Sequence, residues 1–292
     1  MDRRIEESEL IINPDGSVFH LHLKPGEIAQ NIILVGDPGR VETVASYFET
    51  IDIKRQNREF VSVTGSYKGT KFTVVATGIG TDNIDIVINE LDALVNVDFN
   101  TRFVKEEKTT LNFVRIGTSG SLQKDLSVDS CLLSTKAIGF DGLLNFYANR
   151  NEVTDINFEQ AFKSELDWSH YLASPYVVEA SQTLLDKFSE NNFEQGVTIS
   201  APGFYGPQGR VIRLPLADAD INEKISNFRF DDDRITNYEM ECSAIYGLSK
   251  LLGHNAATVC AIIANRKAGT YSKDYKPVIF DLIKKVLDSL AQ

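Results

Sequence analysis

The stretch Phe113–Gly120 constrains the chain most, because an apolar run leads there directly into glycines and hydroxyl side chains. Asn112–Ile116 is short and rich in β-branched and aromatic residues, which predicts a buried strand. The two glycines after it predict a close backbone turn, and Thr118 supplies a hydroxyl group beside that turn. Arg115 adds a fixed positive charge, so the turn could enclose an oxyanion such as phosphate. An ordinary strand exit with a surface arginine explains the same residues equally well.

Composition excludes several function classes. Of the 292 residues, 42% are hydrophobic and 24% charged, as in ordinary soluble globular proteins, and no apolar run is long enough to span a bilayer. The formal net charge of −11 argues against a nucleic-acid-binding surface. The N-terminus lacks the apolar core of a signal peptide, and the three cysteines have neither paired nor metal-ligand spacing. A cytoplasmic protein without a metal site is therefore expected.

A second turn could also bind an anion. The continuous apolar run Asn31–Val35 is typical of a parallel strand covered on both faces, and it ends at Gly36–Arg40, where a helix begins. The N-terminus of such a helix presents N–H groups and the positive end of a dipole to an anion. Pro38 alone would also explain a turn that opens a helix.

Periodicity predicts an α/β chain with one domain, residues 18–292, behind a polar and loosely held arm, residues 1–17. Residues 98–108 are predicted as a surface excursion, and 145–176 show no assignable pattern. Strands are predicted at 17–23, 31–35, 60–67, 71–76, 112–116, 130–138, 196–200 and 257–264. Helices are predicted after a cap at Thr81 or Asp82, over 177–188, from Asn237 to Gly253, and over 279–290.

Two later stretches carry polar groups suited to a small ligand. In the loop from Pro202 to Arg210, Gln208 and Arg210 can converge on the polar edge of a planar ligand while Phe204 covers its face. A surface loop stiffened by proline is the structural alternative. In Asn237–Glu241, a carboxylate could accept hydrogen bonds from a vicinal diol, or the acids could simply favour the helix dipole.

In their order along the chain, these stretches resemble the nucleoside phosphorylase-I family from about Val18 to the C-terminus. The resemblance is carried by Phe19-His20, Gly36–Arg40, Arg58–Phe60, Arg115–Gly120, Phe204–Arg210 and Asn237–Glu241. It implies a three-layer α/β/α fold with a central twisted mixed sheet. It also implies phosphorolysis of a nucleoside, and the base-reading Gln-x-Arg at 208–210 is most similar to members that cleave uridine in pyrimidine salvage.

The resemblance further implies a role for each matching residue. Phosphate is expected at Gly36, Arg40, Arg115 and Thr118, with Arg58 of a neighbouring subunit. Ribose is expected at Thr118, Met240 and Glu241, with His20 of the neighbour. The base is expected at Phe204, Gln208 and Arg210. Catalysis is assigned to Arg115, Gln208, Arg210 and Glu241, with phosphate as co-substrate and no cofactor or metal.

Some positions depart from the family pattern. Gly209 stands where the familiar enzymes have an acid, and Pro207 follows Gly206 instead of preceding it, which leaves tolerance for thymidine or deoxyuridine open. Glu59 and Ile79 match residues near an inter-subunit monovalent cation, but Asn83 replaces a small hydroxyl residue, so cation binding also stays open.

Alternative functions stay open at this point. They are a purine or other nucleoside phosphorylase of the same fold, a hydrolytic nucleosidase, or a non-catalytic nucleoside-binding protein. Purine-directed relatives are expected to place an aspartate after the late strand, where this chain reads Ile263-Ala264-Asn265-Arg266. The residues borrowed from a neighbour imply a homodimer as the smallest active unit and allow a hexamer built as a trimer of dimers. Uridine and phosphate are the expected partners, with no nucleic acid or membrane.

Overall fold

The computed structural model describes residues 3–292, in which strands and helices alternate along most of the chain. The strands are β1 (Asn31–Val35), β2 (Thr50–Asn57), β3 (Phe60–Tyr67), β4 (Thr70–Ala76), β5 (Asn112–Ser121), β6 (Cys131–Gly139), β7 (Tyr176–Glu179), β8 (Glu194–Ser200), β9 (Arg229–Phe230), β10 (Asp233–Glu239), β11 (Asn255–Asn265) and β12 (Thr270–Tyr271). The helices are α1 (Pro38–Ala45), α2 (Thr81–Asn96), α3 (Ile156–Glu165), α4 (Gln182–Lys187), α5 (Ile221–Asn227), α6 (Cys242–Leu252) and α7 (Lys276–Leu290).

The strands form one mixed sheet, whose main path runs β12-β11-β6-β8-β10-β5-β1-β4-β3-β2. Strand β5 also pairs with β11 in parallel, so that β5, β11, β6, β8 and β10 close into a ring. Strand β1 lies beside this ring, parallel to both β5 and β4. The predicted mixed sheet is confirmed, and its partial closure is a feature that the sequence did not indicate.

Helices cover both faces of the sheet, which confirms the three-layer prediction. On one face α2 and α6 pack together over a core that includes Ile84, Leu91 and Ile245. On the other face α1 and α7 contribute Val41 and Ile283 to a second core. Each fully buried branched side chain contributes about 1.5–3 kcal/mol to the free energy of folding. The two cores therefore hold the helices against the sheet and fix the positions of the strands. None of the helices in residues 3–292 combines the length and apolar character needed to cross a membrane.

The predicted turn at Gly117–Gly120 is wrong, because β5 continues as a strand to Ser121. Strand β11 pairs with it in register along its whole length, from Asn112 to Ser121, with one irregularity near the end. A β-carbon on Gly117 would lie 2.9 Å from the Sγ of Cys260, so close packing in the sheet, not a turn, accounts for this glycine.

Three predicted boundaries are also wrong. The single helix expected over 177–188 is strand β7 followed by α4, because Val177 and Val178 pair with β6. The helix expected from Asn237 begins at Cys242, because residues 233–239 form β10 between β8 and β5. Helix α2 is capped by neither Thr81 nor Asp82, since its N-cap residue is Gly80, without a side-chain cap.

The N-terminal region also differs from the prediction. Residues 17–23 form turns instead of a strand, with only an isolated bridge between Ile12 and Val18. The arm is held to the domain, because the buried guanidinium of Arg102 donates to the carbonyls of Ile5 at 2.9 Å, Glu6 at 3.1 Å, and Leu10. The predicted domain boundary at residue 17 stays a prediction.

Removing this guanidinium should release the arm. We expect Arg102→Ala to speed hydrogen exchange at the amides of residues 5–10 and to lower the free energy of unfolding by about 1–3 kcal/mol, because three carbonyls lose a charged donor. The control is Arg234→Ala, which removes an ion pair with the exposed Asp125 and should change stability by less than about 1 kcal/mol. If hydrogen exchange at the amides of residues 5–10 is unchanged in Arg102→Ala, Arg102 does not hold the arm to the domain.

Candidate active site

A buried guanidinium lies at the centre of the site. Arg115, on β5, is 5% exposed. Its Nη2 donates to Glu241, and its Nε lies 3.3 Å from Glu239 Oε2. Both its Nε and its Nη1 are buried without a hydrogen-bond partner within residues 3–292, and Nη1 also lacks a nearby carboxylate there. Buried donors are nearly always paired, so an unpaired guanidinium nitrogen points to a ligand that supplies the acceptor.

A second guanidinium lies close by. Arg40, in α1, donates from Nη1 to the carbonyl of Ile116 at 3.3 Å, next to Arg115 in β5. Burial and the neighbouring charge of Arg115 lower the pKa of Arg40. Two like charges held together in a partly desolvated position attract a polyanion. Gly36, which follows β1, lies just before the start of α1, and its predicted contact with phosphate stays a prediction.

Glu241 links this cationic end to the loop before α2. Its Oε2 accepts from Arg115 and its Oε1 accepts from the backbone N–H of Gly80 at 2.7 Å. Burial disfavours the charge of Arg115, but Glu241 and Glu239 outweigh that effect and raise its pKa. The side chain preceding Glu241, Met240, is half-buried, as is Thr118 of β5. Glu241 is thus buried beside Arg115, and its predicted contact with a ribose stays a prediction.

The other end of the site is organised around Gln208. Its side-chain Oε1 accepts from Arg210 Nη1 at 2.6 Å and from Arg266 Nη2 at 2.8 Å. Its backbone carbonyl accepts from Arg266 as well. The guanidinium of Arg210 stacks over the ring of Phe204, 3.7 Å from its centroid. The ring face that we expected to cover a base is thus occupied by Arg210 in this conformation.

Arg266 is a candidate site residue that the sequence did not indicate. It follows β11, where purine-directed relatives were expected to carry an acid, and its guanidinium lies 5.0 Å from the centroid of the Tyr238 ring. Burial, together with the charge of Arg210, lowers the pKa of Arg266 to about 10. Its Nε is buried without a partner, like Nη1 of Arg115. No short sequence pattern joins Arg266 to Gln208, since only the fold brings them together.

Strand β5 connects the two ends. Arg115 lies near its middle, and Gly120 near its end pairs with Tyr238 and packs beside Arg266. Five residues of strand span about 16 Å, which suits a ligand with an anion at one end and a planar group at the other. The structure therefore brings Arg40, Arg115 and Glu241 together near the middle of a single strand and Gln208, Arg210 and Arg266 together at its end.

His20 and Arg58 lie apart from the residues that gather along β5. His20 Nδ1 is 2.6 Å from Glu90 Oε1, and the same carboxylate accepts from the backbone N–H of His20 and Leu21. The guanidinium of Arg58 is exposed, and it lies 5.7 Å from the ring of Phe19. Among the described hydrogen bonds of the chain, neither residue contacts Arg115 or Gln208. Both lie near Phe19 in one surface region, and their predicted contribution to the site of a neighbouring subunit stays a prediction.

The residues considered for a monovalent cation lie near the loop before α2. Asn83 Nδ2 is 3.5 Å from Glu59 Oε1, and the side chain of Ile79 is 68% exposed. A cation needs oxygen ligands, whereas the asparagine turns a nitrogen toward the one carboxylate. These contacts do not favour a cation within one chain, and binding between subunits stays untested.

Comparison with known proteins identifies the family. The family model described as Phosphorylase superfamily matches residues 31–287, so the chain belongs to that superfamily. A uridine phosphorylase of Thermococcus kodakarensis is 27% identical over 259 residues, covering 89% of this chain and 81% of the relative. A DeoD-type purine nucleoside phosphorylase of Listeria monocytogenes is 26% identical, covering 92% and 97%.

A solved structure agrees with this family. A Trypanosoma brucei nucleoside phosphorylase, described as showing uridine phosphorylase activity, superposes with a TM-score of 0.86 at 29% identity, covering 96% of this chain and 99% of that one. The resemblance that the sequence indicated to the nucleoside phosphorylase-I family is thereby confirmed, and with it the expected class of enzyme, a pentosyltransferase.

Proposed function

We propose that this protein catalyses the reversible phosphorolysis of uridine to uracil and ribose 1-phosphate. The observation that carries the proposal is how polar groups are arranged along β5. The unpaired Nη1 of Arg115 lies near the middle of the strand, and Gln208 lies between two guanidinium groups at its end. The similarity to uridine phosphorylases supports the same substrate.

The geometry suits the charges that develop in this reaction. Cleavage of an N-glycosidic bond builds positive charge on the ribose and negative charge on the departing base. A phosphate oxygen attacks C1′, and the electron pair of the C1′–N1 bond leaves with uracil, which then takes up a proton. Phosphate held by Arg40 and Arg115 is both nucleophile and counter-charge, so the protein only has to position it. The proposal needs no metal or other cofactor.

The base end favours a pyrimidine. A uracil anion carries its charge on carbonyl oxygens and ring nitrogens, which guanidinium donors stabilise more strongly as the charge grows. Arg210 and Arg266 supply such donors, and Gln208 fixes their direction. Protonation of a purine ring needs an acid, and the residue at the end of β11 is instead the arginine at 266. Uridine is therefore favoured over the purine alternative.

The remaining assignments belong to the same proposal. Phosphate contacts Gly36, Arg40, Arg115 and Thr118, and ribose contacts Thr118, Met240 and Glu241, with Glu241 accepting from the 2′ and 3′ hydroxyls. Uracil lies against Phe204, Gln208 and Arg210. The enzyme acts in pyrimidine salvage in the cytoplasm, as a homodimer or as a trimer of dimers. His20 and Arg58 reach the site of the partner subunit.

The reaction itself is tested by incubating the protein with uridine and measuring uracil release with and without phosphate. We expect release that requires phosphate, with ribose 1-phosphate formed in equal amount. Release of uracil and free ribose without phosphate would favour a nucleosidase. No release from uridine or inosine, combined with measurable uridine binding, would favour a binding protein.

Gln208→Ala should separate the two ends of the site. Because Gln208 holds Arg210 and Arg266, we expect kcat/KM for uridine to fall about 100-fold or more, while phosphate binding measured by calorimetry changes less than about threefold. Arg40→Ala is the matched variant at the opposite end, and it should weaken phosphate binding with a smaller effect on uridine binding. Equal losses of both ligands in Gln208→Ala would remove its role at the base.

Shared sites predict complementation between inactive variants. Arg58→Ala and Gln208→Ala should each be nearly inactive alone, because every site then lacks one group. When the two are denatured together and refolded, half of the dimers should be mixed, and each mixed dimer has one intact site. We expect about one quarter of wild-type activity. Activity that stays at the level of the separate variants would show that Arg58 acts within its own chain or not at all.

A further inference from the structure

Glu239 is a buried carboxylate for which the proposed reaction has no role. It is the last residue of β10 and is 4% exposed. It accepts hydrogen bonds from the backbone N–H of Glu241 at 2.8 Å, from the backbone N–H of Cys242 at 3.0 Å, and from the hydroxyl of Ser200. With Arg115 Nε 3.3 Å away, a single carboxylate joins β10, β8, β5 and the start of α6.

The start of α6 is unusual in how it is capped. Glu241 is the N-cap residue of this helix, but its own side chain makes no capping hydrogen bond. An N-cap side chain normally accepts from the first free N–H groups of its helix. Here Glu239, two residues earlier, accepts from the N–H groups of residues 241 and 242. The carboxylate of Glu241 is therefore free to turn away from its helix, toward Gly80 and Arg115.

Two carboxylates share one guanidinium in this cluster. The charged groups that face Glu239 are Arg115 from β5 and Glu241 from the start of α6, with the thiols of Cys242 and Cys260 nearby. Burial, with the charge of Glu241 beside it, raises the pKa of Glu239. Glu239 faces the Nε of Arg115 and Glu241 binds its Nη2, so neither carboxylate alone determines where the guanidinium points.

We propose that Glu239 is a positioning residue, which caps α6 and shares the charge of Arg115 so that the carboxylate of Glu241 stays available to the ribose diol. This inference rests on the proposed function, because it assigns Glu241 to the 2′ and 3′ hydroxyls. Without the charge of Glu239, Glu241 becomes the only buried counter-charge of Arg115. The hydrogen bond that Glu241 already accepts from Arg115 is then strengthened, so its carboxylate is less available to the sugar.

The test compares uridine with 2′-deoxyuridine, because only uridine offers the 2′ hydroxyl. In Glu239→Gln, whose side chain keeps the size of glutamate but loses its charge, we expect kcat/KM for uridine to fall about tenfold or more, mainly through KM. The preference for uridine over 2′-deoxyuridine should fall with it, because the deoxynucleoside loses less. KM for phosphate should change less than KM for uridine.

Glu159→Gln is the matched control. Glu159 is also a buried carboxylate. It pairs with the guanidinium of Arg150 at 2.7 Å and accepts a hydrogen bond from the backbone N–H of Val177 at 3.1 Å. It lies in α3, away from β5. We expect Glu159→Gln to lower the melting temperature at least as much as Glu239→Gln while leaving the preference between the two nucleosides unchanged.

The outcomes separate the two proposals. A folded Glu239→Gln variant that loses activity on both nucleosides by the same factor, or that keeps the wild-type preference, overturns the positioning role. If Glu239→Gln does not fold, Ser200→Ala removes one donor to the same carboxylate and should shift the preference in the same direction by a smaller factor; an unchanged preference overturns the role. A wild-type protein that releases no uracil in phosphate refutes the proposed function instead, and the role of Glu239 with it.

Discussion

The structure depends on one buried guanidinium and the carboxylates that hold it. Transfer of an arginine from water into a sheet costs several kcal/mol unless its charge is paired and its N–H groups are bonded. Arg115 is paired on one side by Glu239 and Glu241, and its Nη1 still lacks a partner. A scaffold that leaves this donor unpaired can bind a ligand that supplies the acceptor, and phosphate has the charge and the oxygen atoms to do so.

Closure of the sheet explains how residues from distant parts of the sequence come to lie along one strand, β5. Strand β11 pairs with both β5 and β6, and β10 pairs with both β5 and β8. The ring brings Arg266, which follows β11, to the end of β5, and it brings Glu241, which follows β10, to Arg115 near the middle of the same strand. An open sheet in the same order would leave β11 far from β5, and Arg266 would not lie beside Gly120.

Sequence patterns predicted what depends on local periodicity. The apolar stripe of α7 and the continuous apolar run of β1 formed as expected, because one buried face or two buried faces leave a direct mark on the residues. The stretch at 177–188 was misassigned because Val178, Leu184, Leu185 and Phe188 suggest a helical period, although Val177 and Val178 pair in the sheet. Tertiary pairing decides such short apolar runs, and no local pattern reports it.

Local sequence patterns also revealed only some of the residues in the candidate site. Gly36–Arg40 and Gln208 were found because each lies in a short stretch with its own chemical pattern. Arg266 was noticed only as the absence of an acid, and its role emerged when the fold placed its guanidinium on both the carbonyl and the amide of Gln208. In an acidic chain of net charge −11, local arginine clusters must overcome the overall field to attract an anion. Arg40 beside Arg115 is one such cluster, and Arg210 beside Arg266 is another. The burial that lowers the pKa of Arg266 to about 10 also strengthens the attraction of its guanidinium for an anionic base.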